Sequence, residues 1–120
     1  MLLAALGLGL GAASAEAQEH DVVFKVRSHD RYAVDLRFYS LSDHRRGWQW
    51  PGNGRIYEFR DSRVHDFPLR CYHHEYICYG AWVEGNPRRY WGLGRSGNEH
   101  CESCCWHCDN EQTWVITLTD

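Results

Sequence analysis

Of the 13 basic side chains in this chain only Lys25 is a lysine, and they are outnumbered by 16 acidic ones, leaving a formal charge of −3. That balance excludes the basic field by which a domain holds nucleic acid. Long apolar runs are missing after residue 15, so nothing beyond that point reads as a membrane-spanning helix, which needs about 20 residues. There is no alternation of strands and helices, no internal repeat and no low-complexity linker, so the Cys-x-x-Cys pairs lack the setting of a thioredoxin-like redox site. Catalytic signatures are missing too. No H-E-x-x-H, no serine nucleophile elbow and no spaced acidic pair in a supporting context occurs, and the chain reads as a non-enzyme without a cofactor.

What is present begins with an uncharged run of Leu, Ala and Gly from Leu2 to Ala13, followed by Ser14, Ala15 and the polar Glu16. Ala13-Ser14-Ala15 is a small-x-small cleavage pattern, although no Lys or Arg precedes the run. Ala15-Glu16-Ala17 offers a second cleavage site two residues on. The expectation is a signal peptide at 1–15, a single domain at 16–120, and a secreted or periplasmic location. The arginine skew suits planar contacts, because guanidinium stacks on aromatic rings and forks onto carboxylates. GC-rich coding explains the same skew without any contact.

The mature chain reads as strands. Tyr32, Val34, Leu36 and Phe38 alternate with Ala33, Asp35, Arg37 and Tyr39, a period of two. Val22–Val26 precedes it, and the break at Ser28-His29-Asp30 is short enough for a hairpin. Further β-prone runs are Arg55–Phe59, Val64–Leu69, Tyr76–Val83, Tyr90–Leu93 and Thr113–Thr119, separated by Gly, Asn and Pro. About seven short strands with regular turns imply an all-β fold, a small antiparallel β-sandwich of Ig-like or jelly-roll-like kind. At most one short helix is expected, beginning near Asn98 and carrying the C-terminal cysteines.

All six cysteines, Cys71, Cys78, Cys101, Cys104, Cys105 and Cys108, fall in the last fifty residues. An even number in a small exported chain reads as three disulfides. Adjacent Cys104 and Cys105 are poor partners for each other, because a bridge needs Cα atoms roughly 4.4–6.8 Å apart. Cys71 and Cys78 either close a hairpin turn together or each reach into the cluster, and spacing does not choose between these. The alternative is a zinc or thiol-redox site built from Cys101, Cys104, Cys105 and Cys108 with His100 and His107. Its weakness is that the two Cys-x-x-Cys pairs abut with no spacer to wrap one ion.

Ile77-Cys78-Tyr79-Gly80-Ala81-Trp82, then Tyr90-Trp91-Gly92-Leu93-Gly94 and the Cys-x-x-Cys-Cys-x-x-Cys cluster, give the chain a family likeness. This combination resembles a group of small, exported, uncharacterised bacterial proteins with no established activity. The resemblance spans roughly the second half of the mature chain, with Trp50-Pro51-Gly52 as an earlier landmark. It implies export and one fold, and carries over no catalytic residue.

Six tryptophans and seven tyrosines are a heavy aromatic load for this length. Trp82 and Trp114 lie within strands and are expected in the core. Trp48 and Trp50, amid Gly and Pro, sit at the start or rim of a loop, where they either form a lid over one end of the sandwich or stack on a sugar or partner surface, with Arg45, Arg46 and Gln49 supplying polar contacts. Tyr90 and Trp91 form a second such patch. The histidines are scattered along the chain. His73 and His74 read as solvated turn residues, and His20, near the mature N-terminus, is placed to capture copper or zinc. The leading functional expectation is therefore a disulfide-rich binding module for a glycan or protein surface. The alternatives are the cysteine-centred metal or redox protein and a structural cell-envelope protein. Intact-mass measurement of the secreted protein is expected to show a loss of six hydrogens and no bound metal; six alkylatable thiols with one zinc would reverse that reading.

Overall fold

A computed structural model describes residues 20–119, so the expected signal peptide lies outside the described residues. The chain forms β1 (His20–Ser28), β2 (Val34–Ser40), a 3-10 turn (Asp43–Arg45), β3 (Gln49–Trp50) and β4 (Tyr57–Phe59). It continues through β5 (His65–Cys71), β6 (Tyr76–Val83), β7 (Asn86–Gly92), β8 (Cys105–His107) and β9 (Glu111–Leu118). Two sheets result, one ordered β5-β1-β9 and the other β3-β2-β6-β7. In the second sheet β4 extends the β3 edge along β2, and β8 extends the β7 edge along β6. This is a disulfide-stapled β-sandwich.

The core is assembled by period-two faces. Val22, Phe24 and Val26 of β1 point inward against Val34, Leu36 and Phe38 of β2, with Leu69, Ile77, Ile116 and Leu118 around them. Phe24 and Phe38 meet across the layers at 4.6 Å between ring centroids. The two strands that the sequence joined as a hairpin thus belong to different sheets. At the break Ser28 Oγ accepts the Asp30 N–H and Asp30 Oδ1 accepts the Tyr32 N–H, both at 3.0 Å. These side-chain turns redirect the chain from one layer to the other.

Two further expectations are corrected, and a third is refined. Strands β1 and β9 run parallel, so the sandwich is not wholly antiparallel. The cysteine cluster, where at most a short helix was expected, carries β8 instead, because Cys105, Trp106 and His107 find open backbone partners on Cys78, Ile77 and Tyr76 of β6. Trp114 is 64% exposed rather than core. A register shift between Val23 and Lys25 breaks the period on β9, turning Thr113 inward and Trp114 outward. The Thr113 hydroxyl then accepts the Lys25 N–H at 3.0 Å. Trp82 is buried as expected.

Residues 93–104 leave the β6 edge and fold over the outer face of the second sheet. Tyr79 brackets the excursion, its carbonyl accepting from Leu93 N–H and its N–H donating to the Cys104 carbonyl, both at 3.0 Å. Beneath it the Tyr39 hydroxyl donates to the Gly94 and Arg95 carbonyls at 3.1 and 2.9 Å. Consequently both faces of β2 are largely buried. Gly80 permits the close approach: a Cβ there would stand 2.2 Å from the Gly94 carbonyl oxygen.

All six cysteines are paired, as Cys71–Cys108, Cys78–Cys105 and Cys101–Cys104. Cys78 and Cys105 are direct cross-strand partners. Cys71 ends β5 in one sheet and Cys108 follows β8 in the other, so that bridge ties the two layers together. Its 37-residue separation makes it worth about 4 kcal/mol in the chain-entropy model, the largest of the three. Gly80→Ala is expected to lower the unfolding free energy by roughly 2–3 kcal/mol, since backbone must move to admit the methyl; an unchanged denaturant midpoint would mean the loop does not lie on the sheet.

Candidate functional site

The turn between β5 and β6, Tyr72-His73-His74-Glu75, closes with the Glu75 N–H donating to the Tyr72 carbonyl at 2.9 Å. Its last residue points inward, and Glu75 is 0% exposed. A buried carboxylate needs partners for both oxygens. Glu75 Oε2 accepts from Ser40 Oγ at 2.7 Å and Arg45 Nε at 3.0 Å, while Oε1 accepts from Arg45 Nη2 at 2.9 Å and the Tyr72 N–H at 3.0 Å. Burial pushes this carboxyl up, but the Arg45 fork, the Ser40 hydroxyl and the Tyr72 N–H outweigh it and hold it below the usual carboxylate range.

Arg45, fixed at the end of the 3-10 turn by that fork, becomes the centre of an aromatic box. Its guanidinium carbon lies 4.4 Å from the Tyr72 ring centroid, 4.7 Å from Trp48 and 5.5 Å from Trp50. The arrangement is cation–π stacking around a paired charge. The expectation that Arg45 faces a ligand is therefore corrected, because it fills the inside of the box. The two tryptophans also divide. Trp50 is 9% exposed, packs in the main core and donates its indole N–H to the Arg70 carbonyl at 3.1 Å. Trp48 is 51% exposed.

Trp48 lines a concavity of about 270 Å³ with Gly47, Gln49, Pro51, Gly52 and Asn53. Arg46 is outside it, paired with Asp43 at 3.1 Å. Tyr90 and Trp91 lie on β7, at the opposite edge of the same sheet from β3, so the two aromatic patches are not brought together. Trp91 donates its indole N–H to the Thr119 carbonyl at 2.7 Å, with Arg89 over its ring at 5.7 Å. Arg89 Nε in turn donates to the carboxylate of buried Asp30 at 2.7 Å. Both patches repeat one device, a buried carboxylate that aims an arginine at a tryptophan. Tyr90 is half-exposed beside a concavity of about 370 Å³ that it shares with Arg88, Arg89, Trp91 and Thr119.

With every sulfur in a bridge, Cys101, Cys104, Cys105 and Cys108 present disulfides rather than thiolates, and His100 and His107 stand without the cysteine thiolates expected beside them. Histidines instead gather at the Tyr72–Glu75 turn. His73 and His74 stand with Asp109, one ligand atom of each within 4.8 Å of the others. Elsewhere along the second sheet Asp35, Glu58 and Glu84 form a comparable oxygen group. Burial first, then Glu84, pushes the Asp35 carboxyl up.

Sequence reasoning missed Glu75. The available signal was its place as the one carboxylate in the Cys71–Cys78 interval, which the bridges draw against the protein body. Compared with protein-family models, with characterised proteins and with solved structures, the chain matches none.

Because folding lowers the Glu75 pKa, its contribution is complete above the ordinary value of 4.5 and is lost as pH falls through the lower native value. Glu75→Gln is expected to cost roughly 3 kcal/mol at pH 7 by leaving Arg45 without its fork. The variant should also lose less stability than the parent on acidification below that value. Parallel stability–pH curves from denaturant titrations would contradict the pairing.

Proposed function

We propose that this chain is an exported glycan-binding module whose contact platform is Trp48. The observation that carries the reading is a tryptophan held rigidly from behind and open in front. Arg45, itself forked onto Glu75 and stacked on Tyr72, braces its inner side, while its half-exposed ring lines the concavity with the amides of Gln49 and Asn53. An aromatic face meets the C–H face of a sugar ring, and side-chain amides donate to and accept from its hydroxyls. Bracing the ring beforehand reduces the ordering cost of binding. Tyr90 is a second, separate contact on the opposite edge.

Export is supported by three disulfides, which persist in oxidising compartments. The N-terminal apolar run with its small-x-small site and the resemblance to exported bacterial proteins point the same way. Among the described residues no helix is long and apolar enough to cross a membrane.

Affinity electrophoresis through gels containing cell-wall and plant polysaccharides is the test. The parent protein is expected to be retarded by at least one of them. Trp48→Ala should abolish the retardation while changing stability by no more than about 0.5 kcal/mol, as surface substitutions do. Trp50→Ala should instead cost roughly 3 kcal/mol, as a core truncation. Mobility unaffected by every polysaccharide, or equal retardation of parent and Trp48→Ala, would end the proposal.

A further inference from the structure

The histidines that the sequence scatters are collected by the Cys71–Cys108 bridge. His73 and His74 follow Cys71 by two and three residues, and Asp109 follows Cys108 directly, so one covalent link fixes both ligand-bearing segments. A second tie runs beside it, the His74 N–H donating to the Cys108 carbonyl at 2.7 Å. His73 Nδ1 lies 3.9 Å from Asp109 Oδ1, and the His73 and His74 ring centroids are 3.7 Å apart. His74 sits at φ 64°. That left-handed conformation is uncommon outside glycine, although His and Asn are enriched there, and it puts two successive imidazoles on one side of the turn.

We propose that His73, His74 and Asp109 form a surface site for a divalent transition metal, with copper(II) bound most tightly and zinc(II) next. Imidazole is a borderline ligand that suits both ions, an aspartate oxygen can complete such a set, and the Irving–Williams order places copper above zinc. Exposure of all three residues leaves positions open for water or an outside ligand. No thiolate competes, since each cysteine is bridged.

Hydrogen bonds sort the neighbouring histidines into one that helps and one that does not. His107 Nδ1 donates to the His74 carbonyl at 3.2 Å, which leaves the Nε2 lone pair free. That is the orientation a ligating histidine takes when a backbone carbonyl holds its other nitrogen. Its ring lies 6.2 Å from that of His74, and both line a concavity of about 360 Å³ with Asp109, which places His107 beside the group of three rather than within it. His20 stacks on His73 at 4.5 Å but is spent. Asn110 Oδ1 accepts the Asp21 N–H at 3.0 Å, so its amide nitrogen donates to His20 Nδ1 at 2.9 Å and the ring hydrogen sits on Nε2.

Calorimetric titration of the full oxidised protein with Cu²⁺ alone, and separately with Zn²⁺ alone, tests the site. One equivalent of each is expected, copper the tighter, with bound imidazole nitrogens visible in the copper electron paramagnetic resonance spectrum. His73→Ala and His74→Asn should each weaken copper at least tenfold and remove one nitrogen from that spectrum. Asn preserves the backbone conformation at residue 74, so the unfolding midpoint without metal should not move. His107→Ala should weaken binding less, and His20→Ala should leave it within about threefold. Absence of binding, full affinity in His73→Ala and His74→Asn, or loss confined to His20→Ala would overturn the proposal.

Discussion

The Tyr72–Glu75 turn is gripped from within by the buried Glu75 carboxylate and at its ends by two bridges that both reach into the C-terminal cluster. Four donors converge on one carboxylate, and one of its partners, Arg45, belongs to a different loop. Such a group is costly to bury and more costly to leave half-satisfied. It therefore fixes which arrangement of the 3-10 turn and the β5–β6 turn is allowed. The aromatic box follows from that choice, since Tyr72 comes from one segment and Trp48 and Trp50 from the other.

The same turn faces two ways. Its inward residue organises the Trp48 platform, and its outward residues, His73 and His74, meet Asp109 across the Cys71–Cys108 bridge. Two surfaces of different chemistry, one aromatic and one imidazole-rich, are thus held by one four-residue element. Rigid elements are better supports for a site than free loops. Here the turn between β5 and β6 is made rigid by a buried charge pair and covalent links.

The fold class was legible from the sequence because the β2 run alternates cleanly, further β-prone runs follow it, and Gly, Pro and Asn fall between them. Layer assignment was not, since Val22–Val26 and Val34–Phe38 carry the same apolar pattern whether they pair side by side or pack face to face. Trp114 misled because one register shift reverses a period of two. The cysteine cluster was legible as disulfides from the even number of cysteines and the expectation of an exported chain. Its strand was invisible, because β8 exists only by virtue of partners on β6. Of the candidate ligand residues, Trp48 and Gln49 stand together at one concavity, while Trp50 and Trp91 give their indole N–H groups to backbone carbonyls. Arginine's role was not legible: the skew fits GC-rich coding as well as planar contacts, and Arg45 and Arg89 stack on this protein's own rings.

The covalent grip on the turn, and with it the meeting of His73 and His74 with Asp109, depends on Cys71 and Cys78 pairing away from each other. Proteolysis of the unreduced protein followed by mass mapping of the linked peptides tests this most directly. Cys71–Cys108, Cys78–Cys105 and Cys101–Cys104 are the expected links. A Cys71–Cys78 link would close the turn on itself, detach it from Asp109 and contradict the account.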